Sequence, residues 1–314
     1  MGLTDRRRAI VIFGDSLTQR SFEPASGWGT ALAHMYGRRC DVYNRGYGGY
    51  NTRWCRSQVP HLFPPDRSER PLLVTVMLGT NDAAIPEQVP TAVVPLDEYA
   101  DNLTAIVRHI KSIADHVVVM TPPCMDEPGR LAFQVQTYGD KATGKLDRTN
   151  ANTQLYAEAA KKVSAKCGVP CVDLFTLTKN KSGKSHVGAG LFIDGIHFNA
   201  KGQEIVFEGL RRCLLREDTM EEGGGGGGAA AAAKALDPDG MDPDWPFGPT
   251  LRAADPAAWE SIFAAHERNM RISPTLHSHG GGGGRGGSAS SAWMTMAAAC
   301  AGVVVGYTLG MARR

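Results

Sequence analysis

The feature that most constrains the fold is an alternation of short β-branched runs with longer amphipathic stretches across residues 7–217. This alternation is typical of a parallel sheet covered by helices on both faces. Each short run is too brief for a helix, and most are bounded by Gly, Pro or Asp. The pattern predicts a single α/β domain whose sheet has five strands, at residues 9–13, 41–44, 72–78, 117–121 and 169–174.

Three of the longer stretches, residues 96–114, 147–167 and 199–215, are predicted to be helices. The first of them carries apolar side chains three or four residues apart, which is the stripe that a surface helix buries against a sheet. Asn199 is the expected N-cap of the third helix. The stripe of the first helix consists of Tyr99, Leu103, Ile106, Val107, Ile110 and Ile113.

The composition changes after the α/β domain. Residues 218–240 contain a run of six glycines followed by five alanines, and residues 267–291 are rich in Gly and Ser, so both segments are predicted to be linkers. Residues 241–266 lie between them and carry two tryptophans and two phenylalanines. Because such aromatic side chains are costly to leave in water, we expect this strip to dock on the α/β domain.

Residues 292–311 form a stretch of 20 residues without a charge, long enough to cross a bilayer as a helix. The stretch predicts a C-terminal tail anchor on an intracellular protein whose main domain faces the cytosol. A buried helix or a disordered chain end is the alternative. Gly302, Gly306 and Gly310 are spaced by four, which would let two such helices pack closely as a homodimer.

Charge and cysteine content exclude several classes of protein. The chain has 34 basic and 32 acidic residues, a net charge of +2, so no nucleic-acid partner is expected. Seven cysteines without a CxxC pair, and no signal peptide ahead of them, favour reduced intracellular thiols. Cys167 and Cys171 lack a second pair of ligands, so they are interpreted as core thiols and not as a zinc site.

The strongest candidate for chemistry is Ser16, which directly follows the first predicted strand. Ligands of open α/β sheets bind at the carboxyl ends of the strands, so this serine is placed where a nucleophile belongs. A serine in this position is also a common helix N-cap. The hypothesis of catalysis therefore requires a base and a group that orients it.

Asp194 and His197 are three residues apart in a glycine-containing turn ahead of the last predicted helix. The carboxylate could approach one imidazole nitrogen while the other nitrogen faces the serine. The alternative is a capping aspartate beside a packed histidine.

Acyl transfer also needs hydrogen-bond donors where negative charge develops on the carbonyl oxygen. Residues 46–51 follow the second strand and can present a backbone N–H without side-chain obstruction. Residues 79–82 follow the third strand and offer the amide of Asn81. Read singly, the glycines are turn residues and Asn81 is the start of an Asx turn.

Taken together, these segments resemble the SGNH branch of the GDSL esterases. Its four sequence blocks align with residues 14–17, 46–49, 79–82 and 194–197. The fuller strings at 46–54, 121–123 and 194–198 resemble the isoamyl acetate-hydrolysing esterase group, and residues 241–263 resemble that group's C-terminal wrap. The Gly/Ala insert and the hydrophobic end depart from the group.

The resemblance implies a flavodoxin-like three-layer α/β/α sandwich, here with a C-terminal single-helix tail, and hydrolysis of small, often acetyl, esters. In this scheme Ser16 is the nucleophile, His197 is the base and Asp194 orients the imidazole. The oxyanion hole consists of the N–H groups of Ser16 and Gly49 and the side chain of Asn81. No metal and no organic cofactor is implied.

Three other motif assignments are disfavoured by the residues themselves. Residues 182–185 end like a phosphate-binding loop, but Thr178 stands at the position of its first glycine. Thr18 stands where the nucleophile elbow of an α/β-hydrolase needs glycine. A hydrolytic metal site formed by Asp15, Asp82, Asp194 and His197 would leave the serine and the amide donors idle.

Two alternative functions stay open at this point. A lipase or lysophospholipase is favoured by an anchor that would hold the site near lipid. A catalytically inactive, membrane-tethered binding protein is disfavoured because Ser16 and His197 are both present.

Overall fold

The computed structural model describes residues 7–24, 26–65, 69–215 and 236–238. Its centre is a parallel sheet of five strands in the spatial order β2-β1-β3-β4-β5, which is the flavodoxin-like order. The predicted five-stranded parallel sheet is therefore confirmed. The strands are β1 (Arg8–Gly14), β2 (Cys40–Gly46), β3 (Leu73–Met77), β4 (His116–Met120) and β5 (Cys171–Val172).

Helices cover both faces of the sheet. One face packs against α3, α4 and α6, and the other packs against α2, α7 and α8. The helices are α1 (Ser16–Gln19), α2 (Trp28–Met35), α3 (Thr52–Leu62), α4 (Leu96–Ile113), α5 (Glu127–Tyr138), α6 (Asn150–Cys167), α7 (Leu174–Lys181) and α8 (Ala200–Leu215), with 3₁₀ turns at Arg20–Phe22 and Gly139–Lys141.

The core follows from the pleat of the strands. In β1, Val11 and Phe13 point to one face while Ile10 and Ile12 point to the other, and all four are buried. Every residue of the apolar stripe predicted for α4 is buried against the first of these faces. Asn199 accepts a hydrogen bond from the N–H of Gly202, so its predicted role as the cap of α8 is confirmed.

Local capping explains two of the predicted boundaries that were wrong. The last strand was predicted to run to residue 174, but the side chain of Asp173 accepts from Thr176 N and starts α7 there. Thr149 caps α6, so that helix begins three residues later than predicted. Helix α5 was not predicted because it buries only Arg130 and Gln134, which give no apolar period.

Most of the predictions for the C-terminal third lie outside the described residues. These are the linkers 218–240 and 267–291, the aromatic strip 241–266 and the span 292–311, whose glycines at 302, 306 and 310 were proposed to pair. Residues 236–238 are the exception, and Leu236 is buried and accepts a hydrogen bond from the Tyr36 hydroxyl. Among the helices of the described ranges, none combines the length and apolar character needed to span a bilayer.

The described cysteines form no disulfide with one another. Cys167 is buried as expected for a core thiol, whereas Cys171 is only partly buried.

Candidate active site

The candidate site lies at the carboxyl ends of β1, β2 and β3. Strand β1 ends at Gly14, where an added Cβ would lie 2.3 Å from the Met77 carbonyl oxygen, so only glycine fits. Asp15 then caps α1 by accepting from the N–H of Leu17 at 2.9 Å. This sharp turn places Ser16 at the first position of α1, facing the crevice.

The three residues predicted to act together form one hydrogen-bonded line. Ser16 Oγ lies 2.9 Å from His197 Nε2, and His197 Nδ1 lies 2.6 Å from Asp194 Oδ2. The serine and the histidine are 181 residues apart in sequence. An imidazole held between a carboxylate and a hydroxyl is arranged to accept the hydroxyl proton.

The loop from Asp194 to His197 is held in shape by its own backbone. Asp194 Oδ1 accepts from the N–H groups of Ile196 at 3.0 Å and His197 at 2.8 Å. Gly195 has φ +85°, and a Cβ there would lie 2.4 Å from the backbone nitrogen of Arg130. Partial burial would raise the pKa of Asp194, but the hydrogen bonds from the His197 ring and the two N–H groups hold it well below its usual range. Asp194 therefore stays ionised at neutral pH.

The glycine-rich loop after β2 adjoins the serine. A Cβ at Gly48 would lie 3.9 Å from the Cβ of Ser16, and Gly48 N donates to Gln19 Oε1 at 2.6 Å. Gly49 has φ +80° and is exposed. In the described part of the chain, the N–H groups of Ser16 and Gly49 donate to no protein acceptor.

Asn81 joins this loop from the other side. Its Nδ2 donates to the Tyr50 carbonyl at 2.9 Å, and its Oδ1 accepts from Arg148 Nη2 at 2.9 Å. An amide nitrogen carries two hydrogens, so one remains for a ligand. The side chain is almost fully buried, which keeps competing water away from it.

Two fully buried carboxyl groups flank the site. Burial raises the pKa of Asp15 to about 6 and that of Asp82 to about 7. Asp82 Oδ1 accepts from both the N–H and the hydroxyl of Thr52, which ties the loop after β3 to the start of α3. Within the described residues, Oδ2 of each aspartate has no hydrogen-bond partner.

The alternative metal site is not formed by these side chains. Asp194 and His197 bond to each other, while Asp15 and Asp82 are used as a helix cap and a loop tie. Across the described ranges, no group of three or more His, Cys, Asp or Glu side chains is placed to hold a metal ion.

Sequence reasoning missed one group beside the site, the buried residues Arg130, Asp147 and Arg148. Arg148 reaches Asn81, and Asp147 joins the two arginines. Asp147 and Arg148 stand at the start of a predicted helix, where charged side chains usually face solvent. No local pattern distinguishes a buried arginine in that position from a solvated one.

Comparisons with known proteins identify the family of this chain. The model of the GDSL-like lipase/acylhydrolase family matches residues 12–205. A GDSL esterase/lipase of Arabidopsis thaliana is 39% identical over 211 residues, covering 66% of this chain and 85% of that protein. The isoamyl acetate-hydrolyzing esterase 1 homolog of Homo sapiens is 37% identical over 205 residues, covering 64% and 79%.

Among solved structures, an acetylxylan esterase from Geobacillus stearothermophilus, in a catalytic mutant form, matches with a TM-score of 0.50. It is 19% identical, and the match covers 66% of this chain and 93% of that one, a similarity that concerns the fold alone. The resemblance stated from the four sequence blocks is confirmed by the family match and the relatives. The chain belongs to the GDSL-like lipase/acylhydrolase family and is a carboxylic ester hydrolase.

Proposed function

We propose that this chain hydrolyses small carboxylic esters, acetyl esters above all, through an acyl-enzyme formed on Ser16. The observation that carries the proposal is the hydrogen-bonded chain of Ser16, His197 and Asp194. Ser16 Oγ lies 2.9 Å from His197 Nε2, and His197 Nδ1 lies 2.6 Å from Asp194 Oδ2. The acetyl preference draws support from the relatives named for the hydrolysis of isoamyl acetate.

In the proposed first step, Ser16 Oγ attacks the ester carbonyl carbon while His197 Nε2 accepts the hydroxyl proton. The negative charge that develops on the carbonyl oxygen is stabilised by the N–H groups of Ser16 and Gly49 and by Asn81 Nδ2. His197 then gives its proton to the alcohol oxygen as the ester C–O bond breaks, and the acyl group stays on Ser16.

In the second step, water attacks the acyl-enzyme carbonyl and His197 accepts a proton from it. The tetrahedral intermediate collapses, the Ser16 oxygen leaves and recovers its proton from His197, and the carboxylic acid is released. Asp194 stays ionised throughout and stabilises the imidazolium that forms in each step.

Two measurements, fluorophosphonate labelling and an ester series, test this proposal. A fluorophosphonate should label wild type but not Ser16→Ala, because the reagent needs an activated serine. A series of p-nitrophenyl esters should give the highest kcat/KM with acetate and lower values as the acyl chain lengthens. Labelling of Ser16→Ala would overturn the assignment of the nucleophile.

The ester series also separates the second candidate function. A lipase or lysophospholipase would show kcat/KM rising with acyl length, because longer chains bury more apolar surface. That outcome would refute the acetyl preference and leave the serine mechanism in place.

A further inference from the structure

The buried residues Arg130, Asp147 and Arg148 lie directly behind Asn81, and the ester-hydrolysis scheme above assigns them no task. Arg148 is 8% exposed and its guanidinium makes three hydrogen bonds. Nη2 donates to Asn81 Oδ1 at 2.9 Å, Nε to the Thr80 carbonyl at 2.8 Å and Nη1 to Asp147 Oδ2 at 2.8 Å. One side chain therefore holds both the amide of Asn81 and the carbonyl of the residue before it.

Asp147 is in turn fixed by Arg130. Arg130 Nε donates to Asp147 Oδ1 at 3.0 Å, and Arg130 Nη2 donates to Oδ2 at 2.5 Å, with both side chains buried. Burial would raise the pKa of Asp147, but the Arg130 hydrogen bonds and the charge of Arg148 hold it below its ordinary value. The carboxylate is thus ionised at neutral pH and keeps Arg148 in place.

Helix α5 supplies Arg130 to this group from its buried polar face. The buried residues of this helix are Arg130 and Gln134, one turn apart. Gln134 Nε2 donates to the Lys145 carbonyl, and Gln134 Oε1 accepts from Asp147 N, each at 3.4 Å. A buried ionic group of this kind contributes little net stability compared with apolar packing, so stability does not by itself account for it.

The bonds to Asn81 decide which end of its amide faces the crevice. An arginine has only donors, so Arg148 can bind Oδ1 and not Nδ2. The Tyr50 carbonyl has only lone pairs, so it can bind Nδ2 and not Oδ1. Both contacts are satisfied in one orientation alone, and a flipped amide would turn an oxygen toward the developing oxyanion.

We infer that Arg148 is the positioning residue of the oxyanion hole: it fixes the Asn81 amide so that its remaining Nδ2 hydrogen points at the acyl oxygen. The charge of Arg148 also polarises the amide, which strengthens the hydrogen bond that Nδ2 donates. This inference rests on the proposed ester hydrolysis, because it assigns a task within that reaction.

A double-mutant cycle with p-nitrophenyl acetate tests the inference. Asn81→Ala should lower kcat by about 10²- to 10³-fold, the usual cost of losing an oxyanion donor. Arg148→Met should lower kcat by about 10- to 100-fold with KM changed by less than about threefold, since the donor acts in the transition state. In the Asn81→Ala background, Arg148→Met should cost less than about twofold more.

Two further variants make the result independent of folding. Arg148→Lys keeps the charge but not the planar fork, so its kcat should lie between wild type and Arg148→Met. It replaces Arg148→Met in the cycle if that variant does not fold. Arg70→Met is the control for the substitution itself, because Arg70 also binds carbonyls and an aspartate, although it is half-exposed and lies ahead of β3, at the opposite end of the sheet. Its kcat should stay within about twofold of wild type.

Equal losses from Arg148→Met in the wild-type and Asn81→Ala backgrounds would overturn the inference, as would a change in KM alone. Those results would leave ester hydrolysis by Ser16 standing. Full turnover by Ser16→Ala would instead overturn the proposed function.

Discussion

The two sides of the crevice are held in different ways. On one side, Asp194 and His197 are three residues apart, and the histidine side chain is 23% exposed. On the other side, Asn81 depends on Arg148, 67 residues away, whose side chain is 9% exposed. In the proposed reaction, the first side transfers the proton within local hydrogen bonds, and the second supplies fixed donors in a buried ionic setting. Proton transfer and charge stabilisation would then depend on separate parts of the fold.

The largest expected loss of kcat comes from removing the side chains of Ser16 or His197, on the side proposed to transfer the proton. Ser16→Ala and His197→Ala should each lower kcat by about 10⁶-fold, because the nucleophile and its base act as one unit. For the same reason the double variant should be no slower than either single variant. Steady-state kinetics on a short ester measure all three.

Thermal unfolding provides the control, since removal of a partly exposed hydroxyl should leave the Tm of Ser16→Ala close to wild type. If the two losses multiplied in the double variant, the serine and the histidine would not share a step.

The third residue of this side should matter less. Asp194→Asn keeps a side chain of the same shape but loses the charge that stabilises the imidazolium, so kcat should fall by about 10⁴-fold. KM should change little because the loss lies in the transition state. An unchanged kcat would show that the short Asp194–His197 contact has no part in turnover.

One side of the crevice is held by local contacts and the other by contacts distant in sequence, and this difference explains which site residues could be predicted from the sequence. The Asp194–His197 turn and the residues after β1 and β3 are local patterns, and parallel strands bring their carboxyl ends together. The link from Arg148 to Asn81 is a tertiary contact, and no spacing within either segment encodes it.

The same distinction holds for the fold. Strand β1 and the apolar stripe of α4 were predicted because an apolar period is local and strong. Helix α5 was missed because it buries polar side chains, whose partner Asp147 lies elsewhere in the chain. Strand β5 was predicted to end two residues too late because Asp173 caps a helix where the apolar run continues.

A smaller effect is expected on the second side from Gly49→Ala. Gly49 has φ +80°, and a Cβ there would meet nothing within 4 Å, so the substitution strains the backbone without a clash. A strain of about 1 to 2 kcal/mol should turn the N–H away from the oxyanion and lower kcat by about 10-fold.

Gly139→Ala is the matched control for this change. Gly139 has φ +53° and equally open surroundings, and it ends α5 away from the serine. Both variants should lose Tm because both place an L side chain at positive φ, and only Gly49→Ala should lose kcat. Equal kcat values in the two variants would remove Gly49 from the set of donors.

The smallest expected effect concerns stability and pH. Burial raises the pKa of Asp82 from 3.8 to about 7, so in this range the folded chain binds a proton that the unfolded chain has lost. The contribution of Asp82 to stability is therefore complete below about pH 4 and is lost as the pH rises toward 7. The amide that Asp82→Asn introduces cannot ionise and can still accept a hydrogen bond from Thr52, so this variant does not share the loss of stability that wild type shows as the pH rises. Its Tm relative to wild type should therefore rise by at least about 3 °C between pH 5 and pH 8.

Asp173→Asn gives the opposite case for the same measurement. Partial burial would raise the pKa of Asp173, but hydrogen bonds from Thr176 and Lys161 hold it below its ordinary value of 3.8, so its contribution changes only below that value. Neither partner titrates between pH 5 and pH 8, so the Tm of Asp173→Asn relative to wild type should be flat over this range. Melting curves of wild type and both variants at the two pH values decide the matter. Parallel shifts for the two variants would mean that Asp82 is ionised in the folded chain, and the buried side of the crevice would then not hold a neutral carboxyl group as the burial of Asp82 implies.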